Sequence, residues 1–431
     1  MIVADSETIF ALASGAGRGA IAVLRLSGNG SRAALEKLCP SVPTPRRATV
    51  RTLRGPAGDA LDQAIVVWMP GPASYTGEDS AELHVHGGPA VVRAVSDALL
   101  ATGCRPAEPG EFSRRAFLAG RMDLVEAEGV ADLVAAETEA QRRQALRQLT
   151  GDASRNLADW SARLRKVLAW QEALIDFPDE DLPAETAREL TDEIAALSDE
   201  LRLAAADSRR GRRVREGLVF AVTGPPNAGK SSLVNALARR DVSIVAATPG
   251  TTRDMLEVPL DLGGILVTLV DTAGLRESSD AVEAEGVRRA LERAAAADLV
   301  IRVIDAAAPD DGVTPPGAMR VANKSDLAAG PAGCHRVSAK TGAGIEMFRA
   351  ILARKAADLT SVGGHPVLAR ARHISALAAA ADALQNAQAV VLPELVGEEL
   401  RVAMRALGRI TGTVGVEDIL ETVFGAFCIG K

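Results

Sequence analysis

Leu218-Val219-Phe220-Ala221-Val222-Thr223-Gly224-Pro225-Pro226-Asn227-Ala228-Gly229-Lys230-Ser231-Ser232 is the stretch whose reading decides the fold. Six apolar-rich residues suit a buried parallel strand, and the turn-rich Gly224–Ser231 follows at once, before a helical Leu233–Ala238. Strand, glycine loop and helix in that order are the context of a P-loop. Backbone N–H groups around Asn227, Ala228 and Gly229 can wrap phosphates, with Ser232 in the same contact set. Lys230 can reach the β and γ oxygens, and the Ser231 hydroxyl can ligate Mg²⁺.

Three further motifs follow in order. Asp271-Thr272-Ala273-Gly274 comes after the apolar run Ile265–Val270. That places the Asp271 carboxylate at a strand's C-terminal end, where it can hold Mg²⁺ through water. Gly274 offers a backbone N–H to a γ-phosphate. Asn323-Lys324-Ser325-Asp326 supplies the base choice. Asp326 can accept from the N1–H and 2-amino edge of guanine, whereas adenine would leave that carboxylate unpaired. Sites built this way discriminate by roughly 10⁴ or more. The Lys324 stem can cover one face of the base, and in Ser338-Ala339-Lys340 the Ala339 N–H can donate to O6. The ordered set predicts GTP as the nucleotide.

Catalysis carries a puzzle. Many GTPases place a water-orienting glutamine after the D-x-x-G glycine; here that position is Leu275. Leucine cannot orient a nucleophile, so water must be positioned from elsewhere. The acidic stretch containing Glu277, Asp280, Glu283 and Glu285 offers candidates, a solvated switch loop being the plainer reading. Pro249-Gly250-Thr251-Thr252-Arg253-Asp254 suits an order–disorder switch with a threonine for Mg²⁺. Arg253 reads equally as an arginine finger or as a partner of Asp254.

At 431 residues the chain has room for about three domains, and its 47% hydrophobic content supplies real cores. A net charge of −7 argues against a protein coated in nucleic acid, and 3% aromatics argues against stacking platforms for single strands. The scattered Cys39, Cys104, Cys334 and Cys428 form no C-x-x-C pair and read as reduced thiols. With no secretory leader and no apolar run of spanning length, the expectation is a soluble cytoplasmic chain without a membrane segment.

Four segments are expected: residues 1–119 as a small α+β domain, 120–216 as the first part of a helical bundle, 217–362 as a doubly wound nucleotide domain, and 363–431 as the returning helices. Strands are predicted at Ala20–Leu26, Gln63–Met69 and Ala81–Val85, and helices at Gly28–Leu38 and Pro89–Ala101. Asp123–Gln171 reads as helix broken once near Gly151, followed by helices over Ala184–Ser208, Ala369–Val391 and Glu394–Phe427. Arg209-Arg210-Gly211-Arg212-Arg213-Val214-Arg215 reads as a solvated linker or as an RNA-backbone contact.

The flanking segments now carry a resemblance. Gly77-Glu78-Asp79-Ser80-Ala81-Glu82-Leu83-His84-Val85-His86-Gly87-Gly88, Pro109-Gly110-Glu111-Phe112-Ser113-Arg114-Arg115-Ala116-Phe117-Leu118, Ile175-Asp176-Phe177-Pro178, Gly250–Asp254 and the terminal Phe427-Cys428-Ile429-Gly430-Lys431 resemble the MnmE (TrmE) family of tRNA-modifying GTPases across essentially the whole chain. The resemblance implies an N-terminal folate-binding domain, a discontinuous helical domain and an inserted Ras-like G domain, in a homodimer. It implies an FAD-dependent partner, MnmG (GidA), in a heterotetramer. The joint reaction installs carboxymethylaminomethyl or aminomethyl at C5 of the wobble uridine of certain tRNAs, from a tetrahydrofolate one-carbon unit plus glycine or ammonium.

By the same resemblance, Arg25, Glu82, Arg121 and Lys431 match the folate site. Arginines and a lysine suit the glutamate tail of folate, and a carboxylate suits its pterin donors. Arg121 stands where a lysine is common, which changes geometry but not charge. The resemblance also implies hydrolysis stimulated by K⁺ bound by the Asn227 side chain and backbone oxygens around Ala246, Thr248 and Thr251. Thr252 matches the switch ligand of Mg²⁺ and Glu283 the water-orienting acid. Two further features carry weaker signals. His84 and His86 share a strand face without a third metal ligand, and Cys428 is read as a packed thiol or an intermediate-bearing one. One departure stands out: between Asp305 and Asn323 the usual helix is missing. Two readings of other classes remain at this stage, a regulatory GTPase of ribosome assembly and a folate enzyme with a vestigial G domain.

Overall fold

The computed structural model describes residues 7–176, 184–239, 257–271, 296–308, 314–361, 363, 368–414, 420, 423–425 and 427–430. The chain divides into two compact units, residues 1–131 with 408–431, and residues 132–407.

The first unit is built on six strands: β1 (Ile9–Leu12), β2 (Ile21–Ser27), β3 (Thr49–Arg54), β4 (Ala60–Met69), β5 (Ser80–His86) and β6 (Arg105–Pro106), in the order β3-β4-β5-β2-β1-β6. All neighbours run antiparallel except β1 and β6. Alternation in the central strands makes the sheet two-faced. Leu24 and Leu26, Leu83 and Val85, Val66 and Trp68 are buried against α1 (Ser31–Leu38) and α2 (Pro89–Ala101) through Leu35, Leu38, Val95 and Leu99. Arg25, Glu82 and His84 take the intervening positions and belong to the opposite face. The sequence signal found the three strongly alternating strands. It missed β1 and β6, which are too short, and β3, whose Thr-Val-Arg-Thr-Leu-Arg is too polar.

Helices α3 (Glu111–Leu118) and α4 (Leu124–Ala135) follow. Leu124 and Ala127 form a small core with Val423, Phe424 and Phe427 from the other end of the chain. Gly110, at φ +68°, leads into α3, and a Cβ there would lie 2.5 Å from the Phe424 carbonyl oxygen. Only glycine meets both demands.

In the second unit α5 (Glu139–Leu149), α6 (Asp152–Asp176) and α7 (Ala184–Glu216) precede the inserted sheet. The expected helix over 123–171 is broken twice, not once. Besides Gly151, residues 136–138 interrupt it, and Thr138 caps α5 in a reciprocal box with Gln141. The arginine cluster is no linker, because α7 continues through it to Glu216. Arginine is a good helix former, and cations are favoured at a helix C-terminus. The helix stops where Gly217 takes φ +79°.

The inserted sheet contains β7 (Leu218–Thr223), β8 (Glu257–Asp261), β9 (Leu266–Asp271), β10 (Leu299–Asp305), β11 (Met319–Asn323) and β12 (His335–Arg336). Its order is β12-β11-β10-β7-β9-β8, parallel throughout except for β8 against β9. Helices α8 (Lys230–Ala238) and α9 (Ile345–Thr360) join it around a core of Phe220, Val222, Leu233, Leu269, Ile301, Val321 and Phe348. The parallel ladders bring the C-terminal ends of β7, β9, β10 and β11 to one edge, where a doubly wound sheet binds its ligand. Of residues 306–308 and 314–318, none is helical.

After the sheet the chain returns as α10 (Ala371–Ala389) and α11 (Pro393–Thr411). Leu197, Leu201, Ala204 and Ala205 of α7 and Leu377, Ala380, Ala381 and Leu384 of α10 are all buried. Ser198 donates to the Ala381 carbonyl at 3.2 Å, a close approach that small residues permit. The helix predicted from Glu394 to Phe427 ends at Thr411, where Gly412 adopts φ +87°. Residues 415–419 lie outside the described set.

Phe220 is fully buried on β7. Phe220→Ala is therefore expected to destabilise the inserted domain by about 3–5 kcal/mol, read by urea unfolding. A loss below about 1 kcal/mol would contradict this packing.

Candidate functional site

The phosphate loop is shaped by backbone conformations that few residues tolerate. Gly224, at φ +142°, ends β7, and a Cβ on it would stand 2.0 Å from the Val303 carbonyl oxygen. Asn227 takes φ +64°, which asparagine accepts more readily than most residues. Gly229, at φ +86°, opens α8, and its added Cβ would lie 2.3 Å from Asn323 Nδ2.

Lys230 is the first residue of α8 and its Nζ donates to the carbonyls of Gly224 and Pro225, both at 2.8 Å. Burial pushes its ammonium down from the usual lysine range, and the Asp271 charge opposes that in part. The next residue, Ser231, donates to Asp271 Oδ2 at 2.5 Å. A hydroxyl from the start of α8 and a carboxylate from the end of β9 thus meet at one point, which is the donor set a hard divalent cation takes.

Asn323 ties the phosphate loop to the Ser338–Lys340 segment. Its Nδ2 donates to the Ala228 and Gly229 carbonyls at 3.1 and 3.3 Å, and its Oδ1 accepts from the Ala339 N–H at 3.0 Å. Ser338 donates to Asp326 Oδ1 at 2.6 Å. That bond is the main reason the Asp326 carboxyl is held below its ordinary range. Lys324, itself at φ +63°, pairs with Asp305 Oδ2 at 2.6 Å. The same bond holds the Asp305 carboxyl low. Ser232 is shared by two adjoining hollows, one over the phosphate loop and one reaching Ala339 and Lys340.

Thus Asn227, Ala228, Gly229, Lys230, Ser231, Ser232, Asp271, Asn323, Lys324, Asp326, Ser338, Ala339 and Lys340 gather around one edge of the sheet. Asp305 was missed. A usable signal existed, since Asp305 ends the apolar run Leu299–Ile304 much as Asp271 ends Ile265–Val270. Ala246, Thr248, Thr251, Thr252, Arg253, Thr272, Ala273, Gly274, Leu275, Glu283 and Lys431 lie outside the described residues.

In the first unit Arg25 and Glu82 face each other across β2 and β5 and pair at 2.9 Å. The Arg25 guanidinium lies 5.5 Å from the Tyr75 ring centre and 6.0 Å from that of Phe112. Burial alone would raise the Glu82 carboxyl, but hydrogen bonds from His84 and Arg25 together hold it low. The Arg121 stem lies against Gly77, at 3.4 Å from a Cβ built there. Gly430 packs on the end of β1, where an added Cβ would meet the Leu12 carbonyl at 2.5 Å. His84 contacts Glu82, and His86 contacts Asp62 at 2.7 Å. Among the described residues no group of three or more His, Cys, Asp or Glu could hold a metal ion. Among them, too, no helix is long and apolar enough to cross a membrane.

The parallel sheet, the glycine loop on α8 and the Asn323–Asp326 segment define a P-loop GTPase fold. Residues 8–121 match the model described as GTP-binding protein TrmE N-terminus, and residues 124–428 the MnmE helical domain. The chain is 57% identical to the tRNA modification GTPase MnmE of Gluconacetobacter diazotrophicus, covering 99% of each. It is 52% identical to that of Granulibacter bethesdensis, over 99% of this chain and all of the other. To that of Methylorubrum populi it is 53% identical over 99% and 98%. The chain belongs to the MnmE family of tRNA modification GTPases.

Gly229→Ala adds both a left-handed backbone penalty of about 1–2 kcal/mol and a clash with Asn323. Its affinity for a fluorescent GDP analogue is expected to fall at least about tenfold. Unchanged binding would show that the loop does not need this conformation.

Proposed function

We propose that this chain hydrolyses GTP as the timing step of a wobble-uridine modification. With an FAD-dependent MnmG-type partner, it would install carboxymethylaminomethyl or aminomethyl at C5 in certain tRNAs. The observation that carries the nucleotide half is the convergence on Asn323 of the phosphate loop and the base-reading loop. Family membership supports the tRNA half.

In this reading the backbone N–H groups of Asn227–Gly229 and the Lys230 ammonium hold the phosphates. Lys230 exchanges its present bonds to Gly224 and Pro225 for phosphate oxygens. Ser231 and Asp271 fit Mg²⁺, with Thr252 as a further ligand; when bound, the ion neutralises charge developing on the phosphoryl group. Asp326, oriented by Ser338, reads the guanine edge. Lys324, steadied by Asp305, lies along the base, and Ala339 donates to O6. Leucine at 275 leaves the water to Glu283. Asn227, with backbone oxygens near Ala246, Thr248 and Thr251, would bind K⁺, whose charge replaces that of an arginine finger.

Arg25, Glu82, Arg121 and Lys431 are proposed to hold a tetrahydrofolate derivative, which supplies the one-carbon unit. The Arg25–Glu82 pair fits such a ligand because a cation and a carboxylate stand side by side, with the guanidinium near the Tyr75 ring. We place the protein in the cytoplasm as a homodimer.

Three outcomes test this. GTP turnover is expected to be about a hundredfold faster in K⁺ than in Na⁺, the scale of one lost transition-state charge contact; equal rates would remove the cation from the mechanism. Asp326→Asn should exchange selectivity from guanine toward xanthine nucleotides, because the new amide donates where the carboxylate accepted. Retained GTP preference in a competition assay would reassign base reading. Finally, mass analysis of tRNA nucleosides from a deletion strain should show unmodified C5 at wobble uridines, and an unaltered profile would sink the tRNA chemistry.

A further inference from the structure

The inserted sheet joins the helices at two chain crossings, and both are held by a small polar cluster. Asp132, on α4, accepts at a single oxygen, Oδ1, from Arg215 Nε at 3.0 Å and from Arg370 Nη2 at 2.8 Å. Arg215 lies at the end of α7, just before β7, and Arg370 caps α10 just after the return. One carboxylate thus grips the way out and the way back. Along α7, Asp207 Oδ2 accepts from the Gly363 N–H at 2.9 Å and Ser208 from the Leu368 N–H at 3.1 Å.

Helix α5 reaches the same cluster. Gln141 and Gln144 donate to the carbonyls of Arg215 and Gly211 at 3.1 and 3.0 Å. At the start of α5 the Ala140 N–H donates to Gly264 in the β8–β9 turn at 3.0 Å. On the sheet side Arg213 pairs with Asp298 Oδ1 at 2.9 Å, and Asp298 Oδ2 accepts the Val219 N–H at 3.1 Å. Val219 is the second residue of β7, the strand that ends in the phosphate loop. Arg210, Arg212, Arg213 and Arg215 all pair with carboxylates. These four are engaged within the protein.

The joint is made of directional polar bonds. Beside it lies a cavity of about 80 Å³ lined by Asp132, Ala136, Gln141, Ala145 and Arg215, among others. Directional polar bonds have discrete partners to exchange, and free volume beside them leaves room for the exchange.

We propose that Asp132, Arg213 and Arg215 are positioning residues, a clasp through which the nucleotide state of the phosphate loop reaches α5 and α7. The proposal rests on GTP binding and not on the tRNA chemistry. Hydrogen exchange of the full chain, with GDP and with a non-hydrolysable GTP analogue, tests it. In the wild type, exchange in α5 and the last turns of α7 should differ between the two nucleotides by about fivefold or more, the scale of a coupled equilibrium. Asp132→Asn and the half-exposed Arg213→Gln should bind both nucleotides as the wild type does, yet lose that difference; Asp132→Glu should restore it. A clasp that only stabilised the fold would raise exchange equally in both nucleotide states. No difference in the wild type, or a difference that survives both substitutions, overturns the proposal. Should Asp132→Asn fail to fold, Arg213→Gln decides. A persistent difference in a chain that modifies no tRNA would refute the modification chemistry and leave the clasp standing.

Discussion

The nucleotide pocket depends on one buried amide. Asn323 gives its Nδ2 hydrogens to the Ala228 and Gly229 carbonyls and accepts the Ala339 N–H. Two loops from distant parts of the chain are thereby held in register by a side chain that is 2% exposed. Each bond is modest, but leaving one of these buried groups unpaired costs about 1–3 kcal/mol, which favours ordering the two loops together. The requirement extends outward. Gly229 must lack a Cβ because Asn323 occupies that space, and Ser231 meets Asp271 because α8 starts where that glycine permits.

The first unit uses a different device. Its sheet buries one face with aliphatic alternation and assigns charged residues to the other. There Arg25 and Glu82 balance each other, and the Arg25 guanidinium also lies near the Tyr75 and Phe112 rings. A charged pair in this half-buried setting contributes little net stability. Near it, Arg105 and Arg115 share Glu111, and Arg115 also reaches Glu78, so buried charge elsewhere in the unit is likewise compensated.

Much of this was legible along the chain. The P-loop, Asp271 at the end of β9 and the Asn323–Asp326 segment are local signals, because each needs only a strand, a turn and a few fixed residues. The central strands β2, β4 and β5 announced themselves by alternation. Other elements did not. Residues 136–138 hid a helix break inside an Ala- and Glu-rich run, and the arginine cluster resembled a linker although it is helix. In both cases composition was helical or polar in a way that several conformations satisfy, and contacts from other elements chose among them.

The sequence alone determined the guanine nucleotide, the order of the motifs around it, the family and the classes of its domains. Those follow from residue identity at short spacing, where the backbone has few options. Only the tertiary structure decided the pairings. Arg25 meets Glu82 across 57 positions, Asn323 meets Gly229 across 94, and Arg370 meets Asp132 across 238. Such partners are selected by strand register and helix packing, which are cooperative properties of the whole fold, and no local spacing encodes them.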